Sequence, residues 1–280
     1  MKSLGPRLLT AVIGIPLLLL ILFLGESWPP IIAIAVGLAS SFMIGEYLHA
    51  KDLLKLYALS IPCMAFPLAV TLLLFSGRLY ILFFAFMIAA FSVILFYHSR
   101  LTYIDLAYSL FGTILITFGM SAIVIGSFGK PSFVFYFVPV FLLPWMADAG
   151  GFFIGAAFGK HKLCPNISPK KTVEGVLGGT VFCVASALVM GLVFQFIVFG
   201  GDESVRVNFA GLIVLAILDS VVSLIGDLSF SLIKRNLKIK DYGTLFPGHG
   251  GMLDRCDSII FTAPLVVALG QVMPFLQILV

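Results

Sequence analysis

Long apolar runs separated by short polar breaks set the pattern of this chain. The first runs continuously from Leu8 to Leu24, and others follow at about Trp28 to Leu48, Leu56 to Phe75, Leu79 to Tyr97 and Ile104 to Ile125. Four more cover Phe133 to Phe158, Val176 to Phe199, Phe209 to Ile233 and Ile259 to Leu279. Roughly 20 apolar residues in a helix cross the hydrocarbon core of a bilayer, so the pattern predicts an all-α, polytopic integral membrane protein of about nine transmembrane helices. Gly25-Glu26-Ser27 offers no small-x-small cleavage site after the first run, which is therefore expected to be a span and not a signal peptide. Pro62 and Pro67 predict a kink in the third span, which membrane helices tolerate. Residues 1–130 then hold five spans, residues 131–280 hold four spans with two basic loops, and no soluble domain is visible.

Composition agrees with the pattern. Of 280 residues, 61% are hydrophobic and 11% charged, where a soluble domain is about a quarter charged. The net charge of +4 gains meaning only loop by loop. With the N-terminus in the cytosol, the inner segments collect 14 of the 17 basic residues and leave only Arg78, Lys130 and Arg206 outside. That is the asymmetry expected of cytoplasmic loops. The basic residues lie in short connections and not on one solvated face, so nucleic acid is not an expected partner. Cys63, Cys164, Cys183 and Cys256 lie in separate segments without a C-x-x-C pair, which predicts neither a zinc site nor a disulfide framework.

Polar groups concentrate where the apolar pattern predicts lipid. At about 100° per residue, Asp219, Ser220, Ser223, Asp227, Ser231 and Lys234 share roughly a third of one helix circumference. The serines suit hydrogen bonds between helices, whereas carboxylates in a span are costly and mark functional sites by default. Gly226, beside Asp227, is expected to leave room for a ligand. Beyond that helix, Arg235, Lys238, Lys240 and Asp241 lead into Pro247-Gly248-His249-Gly250-Gly251, and then Asp254, Arg255 and Asp257. Glycines accept positive φ at no steric cost, so this turn can aim backbone N–H groups at an anion. Asp254 and Asp257, three apart, suit one face at a helix start, where capping alone could account for Asp257. Oxygen ligands without a cluster of Cys and His favour a hard cation such as Mg²⁺, with a second cation left open. Together these groups point to phosphate chemistry.

Ser231, Lys234-Arg235, Lys240-Asp241, Pro247-Gly248-His249-Gly250-Gly251, Asp254-Arg255 and Asp257, in that order and spacing, resemble the signature of the phosphatidate cytidylyltransferases, the CDP-diacylglycerol synthases. Cys256 stands where that family usually has a larger apolar residue. A second stretch is similar to the family's middle region: Trp145 and Asp148, Phe158 to Leu163, Pro165, Ile167 to Thr172, Glu174-Gly175 and Gly178-Gly179. Phe152 and Ala156 depart from it, standing where Tyr and a basic residue are usual. The two stretches cover roughly the C-terminal half.

The resemblance implies a Mg²⁺-dependent reaction of CTP with phosphatidate, giving CDP-diacylglycerol and pyrophosphate in phospholipid synthesis at a bacterial inner membrane. It assigns Asp227 and Asp254 to metal. Lys234, Arg235, Lys240 and Arg255 would meet phosphate oxygens, and His249 serves better as a hydrogen-bond donor than as an acid or base. Asp148, Lys170, Lys171, Ser223, Ser231, Asp241, Gly248, Gly250, Gly251 and Asp257 complete the expected substrate contacts. Membrane lipids are the expected surroundings, and a homodimer is left open. Two rivals remain. A CTP-dependent kinase of a polyprenol-type lipid alcohol would use similar groups, whereas a secondary transporter would place acids deep in several spans with matching broken helices in two halves.

Overall fold

The computed structural model describes residues 16, 20, 21, 23–25, 28, 30–127, 132–201, 204–246 and 250–278. Among these, seven helices are long and apolar enough to cross a membrane, and Tyr57–Leu73 is a shorter apolar helix. The eight coincide with the second to ninth apolar runs. Most of the first run, Leu8 to Leu24, lies outside the described residues.

The chain forms two compact units, one of Met1–Val124 with Asn236–Cys256 and the other of Ile125–Arg235 with Asp257–Val280. The first contains α1 (Pro30–His49), α2 (Tyr57–Leu73), α3 (Leu79–Phe96) and most of α4 (Tyr103–Ser127). Pro62 and Pro67 both lie inside the helical span of α2. Where α1 and α4 meet, the rings of Tyr47 and Tyr108 stack with centroids 4.1 Å apart, and the Tyr108 hydroxyl donates to the Tyr47 carbonyl at 2.8 Å. Lys51 closes this corner by an ion pair of 2.6 Å with Asp105.

The second unit contains α5 (Phe133–Phe158), a hairpin of β1 (Lys162–Cys164) and β2 (Ser168–Thr172), and α6 (Val173–Leu192), which continues as a π-helical turn over Val193–Val198. β3 (Val205–Val207), α7 (Phe209–Asn236), α9 (Ile259–Val272) and β4 (Leu276–Ile278) follow, with the single turn α8 (Leu253–Cys256) belonging to the first unit. The strands are absent from the apolar-run reading. The last run was expected to continue as helix to Leu279, but α9 stops at Val272 because Pro274 disfavours helical backbone at Met273, which adopts φ −133° and ψ 86°. The chain beyond pairs as β4 with β3, Val205 opposite Ile278 and Val207 opposite Leu276.

Glycines let α5 and α6 approach closely. A Cβ added at Gly150 would stand 2.7 Å from the Phe182 side chain and 2.8 Å from the Gly178 carbonyl, and one at Gly179 would stand 2.7 Å from the Ala147 carbonyl. Backbone cannot swing aside, so Gly150→Leu should be destabilising by about 1–3 kcal/mol or more. The expected result is a thermal midpoint several degrees lower in detergent, and an unchanged midpoint would contradict this packing.

α7 turns the usual arrangement inside out. Asp219, Ser220, Ser223, Ser231 and Lys234 are buried, while Ile217, Leu218, Val221, Ile225 and Leu232 are exposed. The polar stripe predicted from spacing is therefore the inward face, and aliphatic side chains take the outward one, as a lipid surrounding requires.

Candidate active site

In the second unit, α5, the β1–β2 hairpin, α6 and α7 enclose a cavity of about 470 Å³. Asp148, Phe152 and Gly155 come from α5, Lys162, Ser168, Lys170 and Lys171 from the hairpin, Val176 from α6, and Ser220, Ser223 and Leu224 from α7. Cations, hydroxyls and apolar surface thus share one space. Four of the expected substrate contacts, Asp148, Lys170, Lys171 and Ser223, meet there.

Local bonds hold the hairpin that delivers the lysines. The Thr172 hydroxyl caps α6 by accepting from Gly175 N–H at 3.1 Å. The Glu174 carboxylate accepts from Lys160 N–H at 3.1 Å and His161 N–H at 3.2 Å, and pairs with the His161 ring at 2.5 Å. Two straps join the hairpin to α7. The Arg235 guanidinium donates to the Ile167 carbonyl at 3.3 Å, and the Lys171 ammonium pairs with Asp227 Oδ2 at 2.5 Å. Ser231 donates to Asp227 Oδ1 at 3.3 Å. Asp227, Ser231 and Arg235 are therefore tied to the hairpin, as expected of one site, although the Arg235 contact is with a protein carbonyl.

Other expectations are changed. The space beside Gly226 is not open to a ligand: a Cβ there would stand 2.8 Å from the Asp257 carbonyl and 3.1 Å from Ser258 Cα, so the glycine admits the start of α9. Ser220 hydrogen-bonds the Thr180 hydroxyl at 2.9 Å and so does link two helices. Asp257 is buried and accepts from the adjacent Ser258 N–H at 2.8 Å. Asp219 is fully buried, and Thr262 of α9 is the hydroxyl that faces it. Lys234 is buried on the same helix.

Asp254 lies in the first unit and Asp227 in the second. Asp254 Oδ2 accepts from Tyr242 N–H at 2.8 Å and Gly251 N–H at 3.0 Å, which closes the loop on itself. Gly250 takes φ +84°, the left-handed backbone that glycine permits, and its carbonyl accepts from Phe246 N–H at 2.9 Å. Lys240, Asp241 and Arg255 are exposed along this stretch. Pro247, Gly248 and His249 lie outside the described residues.

Sequence reasoning missed Glu46. It is buried in α1, and its carboxylate accepts from Met252 N–H at 3.0 Å and Leu253 N–H at 2.8 Å. Of the expected anion-facing turn, then, Gly251 N–H and the two amides after it are directed at carboxylates of the protein. A single acid in an otherwise apolar span was the available signal.

The fold and this cavity define a class: an α-helical, polytopic membrane protein whose charged connections form a basic, oxygen-rich pocket. The chain belongs to the cytidylyltransferase family, whose family model matches residues 5–273. It is similar to the phosphatidate cytidylyltransferase of Haemophilus influenzae, 45% identical over 132 residues that make up 47% of this chain and 44% of that protein. The corresponding protein of Bacillus subtilis is 40% identical over 133 residues, 48% of this chain and 45% of the relative. That of Staphylococcus haemolyticus is 39% identical over 131 residues, 47% of each chain. The matched segments thus span about half the length of these curated relatives.

Proposed function

We propose that this chain transfers a cytidylyl group from CTP to phosphatidate, giving CDP-diacylglycerol and pyrophosphate. The observation that carries the reading is the cavity of the second unit, whose lining combines Lys170 and Lys171 with Phe152 and Val176. A phosphorylated lipid needs both surfaces: ammonium groups for its phosphate and apolar surface for its chains. Membership of the cytidylyltransferase family supports the same reaction.

In this reaction a phosphatidate oxygen attacks the α-phosphorus of CTP. The new P–O bond forms as the bond to pyrophosphate breaks, and no proton needs to leave the attacking phosphate when it is fully ionised. Catalysis of such a step rests on position and charge. Lys170 and Lys171 would bind phosphate oxygens, and the Ser231 hydroxyl would orient the Asp227 carboxylate that it already contacts. Lys234 and Arg235 add positive charge at the same end of α7. Lys240, Arg255 and His249, with Asp241, Gly248, Gly250 and Gly251, are proposed contacts for the triphosphate from the family resemblance.

The donors around Asp227 suit Mg²⁺, a carboxylate and a hydroxyl, both hard oxygen ligands, and the Lys171 ammonium now paired with that carboxylate would yield to the ion. Among the described residues no group of three or more His, Cys, Asp or Glu is arranged to hold a metal, and Mg²⁺ commonly takes only one or two protein carboxylates. When bound it would supply positive charge to the phosphate oxygens. A metal contact by Asp254 remains a proposal from the family resemblance.

The test is radiolabelled CTP and phosphatidate with membrane vesicles, with and without Mg²⁺, followed by lipid extraction. Label should enter a cytidylyl lipid only with Mg²⁺. If the basic loops face the cytosol, inverted vesicles should use added CTP and sealed right-side-out ones should not. A phosphorylated lipid accompanied by CDP would overturn the reading in favour of a kinase.

A further inference from the structure

The geometry points to Glu46 as a positioning residue for the segment of residues 250–255, an inference that rests on the cytidylyl-transfer reading. Glu46 is the one charged residue from Pro30 to Tyr47 and is only 8% exposed. A carboxylate so placed is tolerated only if donors meet its oxygens. Both are met, Oε1 by Met252 N–H and Oε2 by Leu253 N–H, from more than 200 positions away in the sequence. The fit allows nothing larger. A Cβ on Gly251 would stand 2.6 Å from both carboxylate oxygens, and one on Gly243 would overlap Oε1.

Three consecutive amides, Gly251, Met252 and Leu253, therefore donate to two carboxylates with different consequences. The bond to Asp254 is local and closes the loop, whereas the bonds to Glu46 fasten the loop to α1. Tyr242, whose ring lies 6.1 Å from that of Tyr47, extends the same anchorage. Lys240, Asp241 and Arg255, the proposed triphosphate contacts, flank the fastened residues. Glu46 spends both oxygens on amides, so it acts through the loop and not on the substrate. Displacing a positioned group by about 1 Å can cost on the order of a hundredfold in rate.

The decisive variant is Glu46→Gln in the full chain. The amide keeps the shape of the carboxylate but turns an NH₂ group toward a backbone N–H, so one anchor is lost. The expected result is a KM for CTP raised by about tenfold or more, with the KM for phosphatidate little changed. Gly243→Ala retains the carboxylate and crowds it, and should give the same one-sided change. It is read in the same way if Glu46→Gln does not accumulate. Hydrogen exchange of the amides at 251–253, measured without substrate, should quicken by about tenfold in Glu46→Gln as the anchor opens. Unchanged exchange, or equal changes in the kinetics of both substrates, would overturn the inference. A wild-type chain without CTP-dependent transfer would instead sink the functional reading, and the exchange result would still decide the anchoring.

Discussion

Asp227→Asn is expected to lower kcat by about a hundredfold to a thousandfold, the loss typical when one preorganised electrostatic group is removed from an active site. The substitution is nearly isosteric, and Ser231 can still donate to the remaining oxygen. Lys171 loses an ionic partner, but the pair is partly exposed, at 23% for each side chain, and such pairs contribute little to stability. The variant should therefore insert and purify with a thermal midpoint near that of the wild type. Steady-state rates separate this from a folding defect, and a Mg²⁺ titration of the surviving activity makes the test more specific. Loss of a ligand should move the requirement to higher metal. Retention of most activity with an unchanged Mg²⁺ dependence would leave Asp227 as a polar contact between the hairpin and α7.

Lys171→Gln should cost roughly tenfold to a hundredfold in kcat/KM, corresponding to about 1.5–3 kcal/mol for a lost charge-assisted hydrogen bond. Lys171 lines the cavity and reaches Asp227, so its charge serves both an incoming phosphate and the carboxylate. Lys170 lines the same cavity but is exposed to solvent, and Lys170→Gln should cost less. Varying each substrate in turn checks the assignment: the Lys171 effect should appear strongly with phosphatidate. Kinetics within twofold of wild type for both substrates would return Lys171 to the role of a topology determinant.

The spans were readable because membrane helices declare themselves by run length, and the stripe on α7 because its spacing is helical. The short strands were not. Three residues such as Val205–Val207 show no periodicity, and their partner lies at the far end of the last apolar run. Glu46 illustrates the same limit, since its chemistry depends on amides at the far end of the chain. Gly226 could be seen as small, but whether a ligand or a helix uses the space is a matter of tertiary packing. The signature also reads as one continuous site, yet Lys234 and Arg235 belong to one unit and Lys240 to Arg255 to the other. Of the expected substrate contacts, the cavity in the second unit gathers Asp148, Lys170 and Lys171 of the middle region together with Ser223 of α7.

The inverted α7 suggests a route to a water-soluble form of this protein. Soluble helices are redesigned with care on their apolar inward side, but here the inward side holds Asp219, Ser223, Ser231 and Lys234. Engineers would leave that face untouched and exchange the outward aliphatics, Ile217, Leu218, Val221, Ile225 and Leu232, for Glu, Lys and Gln. Those residues favour helix as well as the ones they replace. The positions that meet lipid are thus the freest to be rewritten, and the polar ones the least.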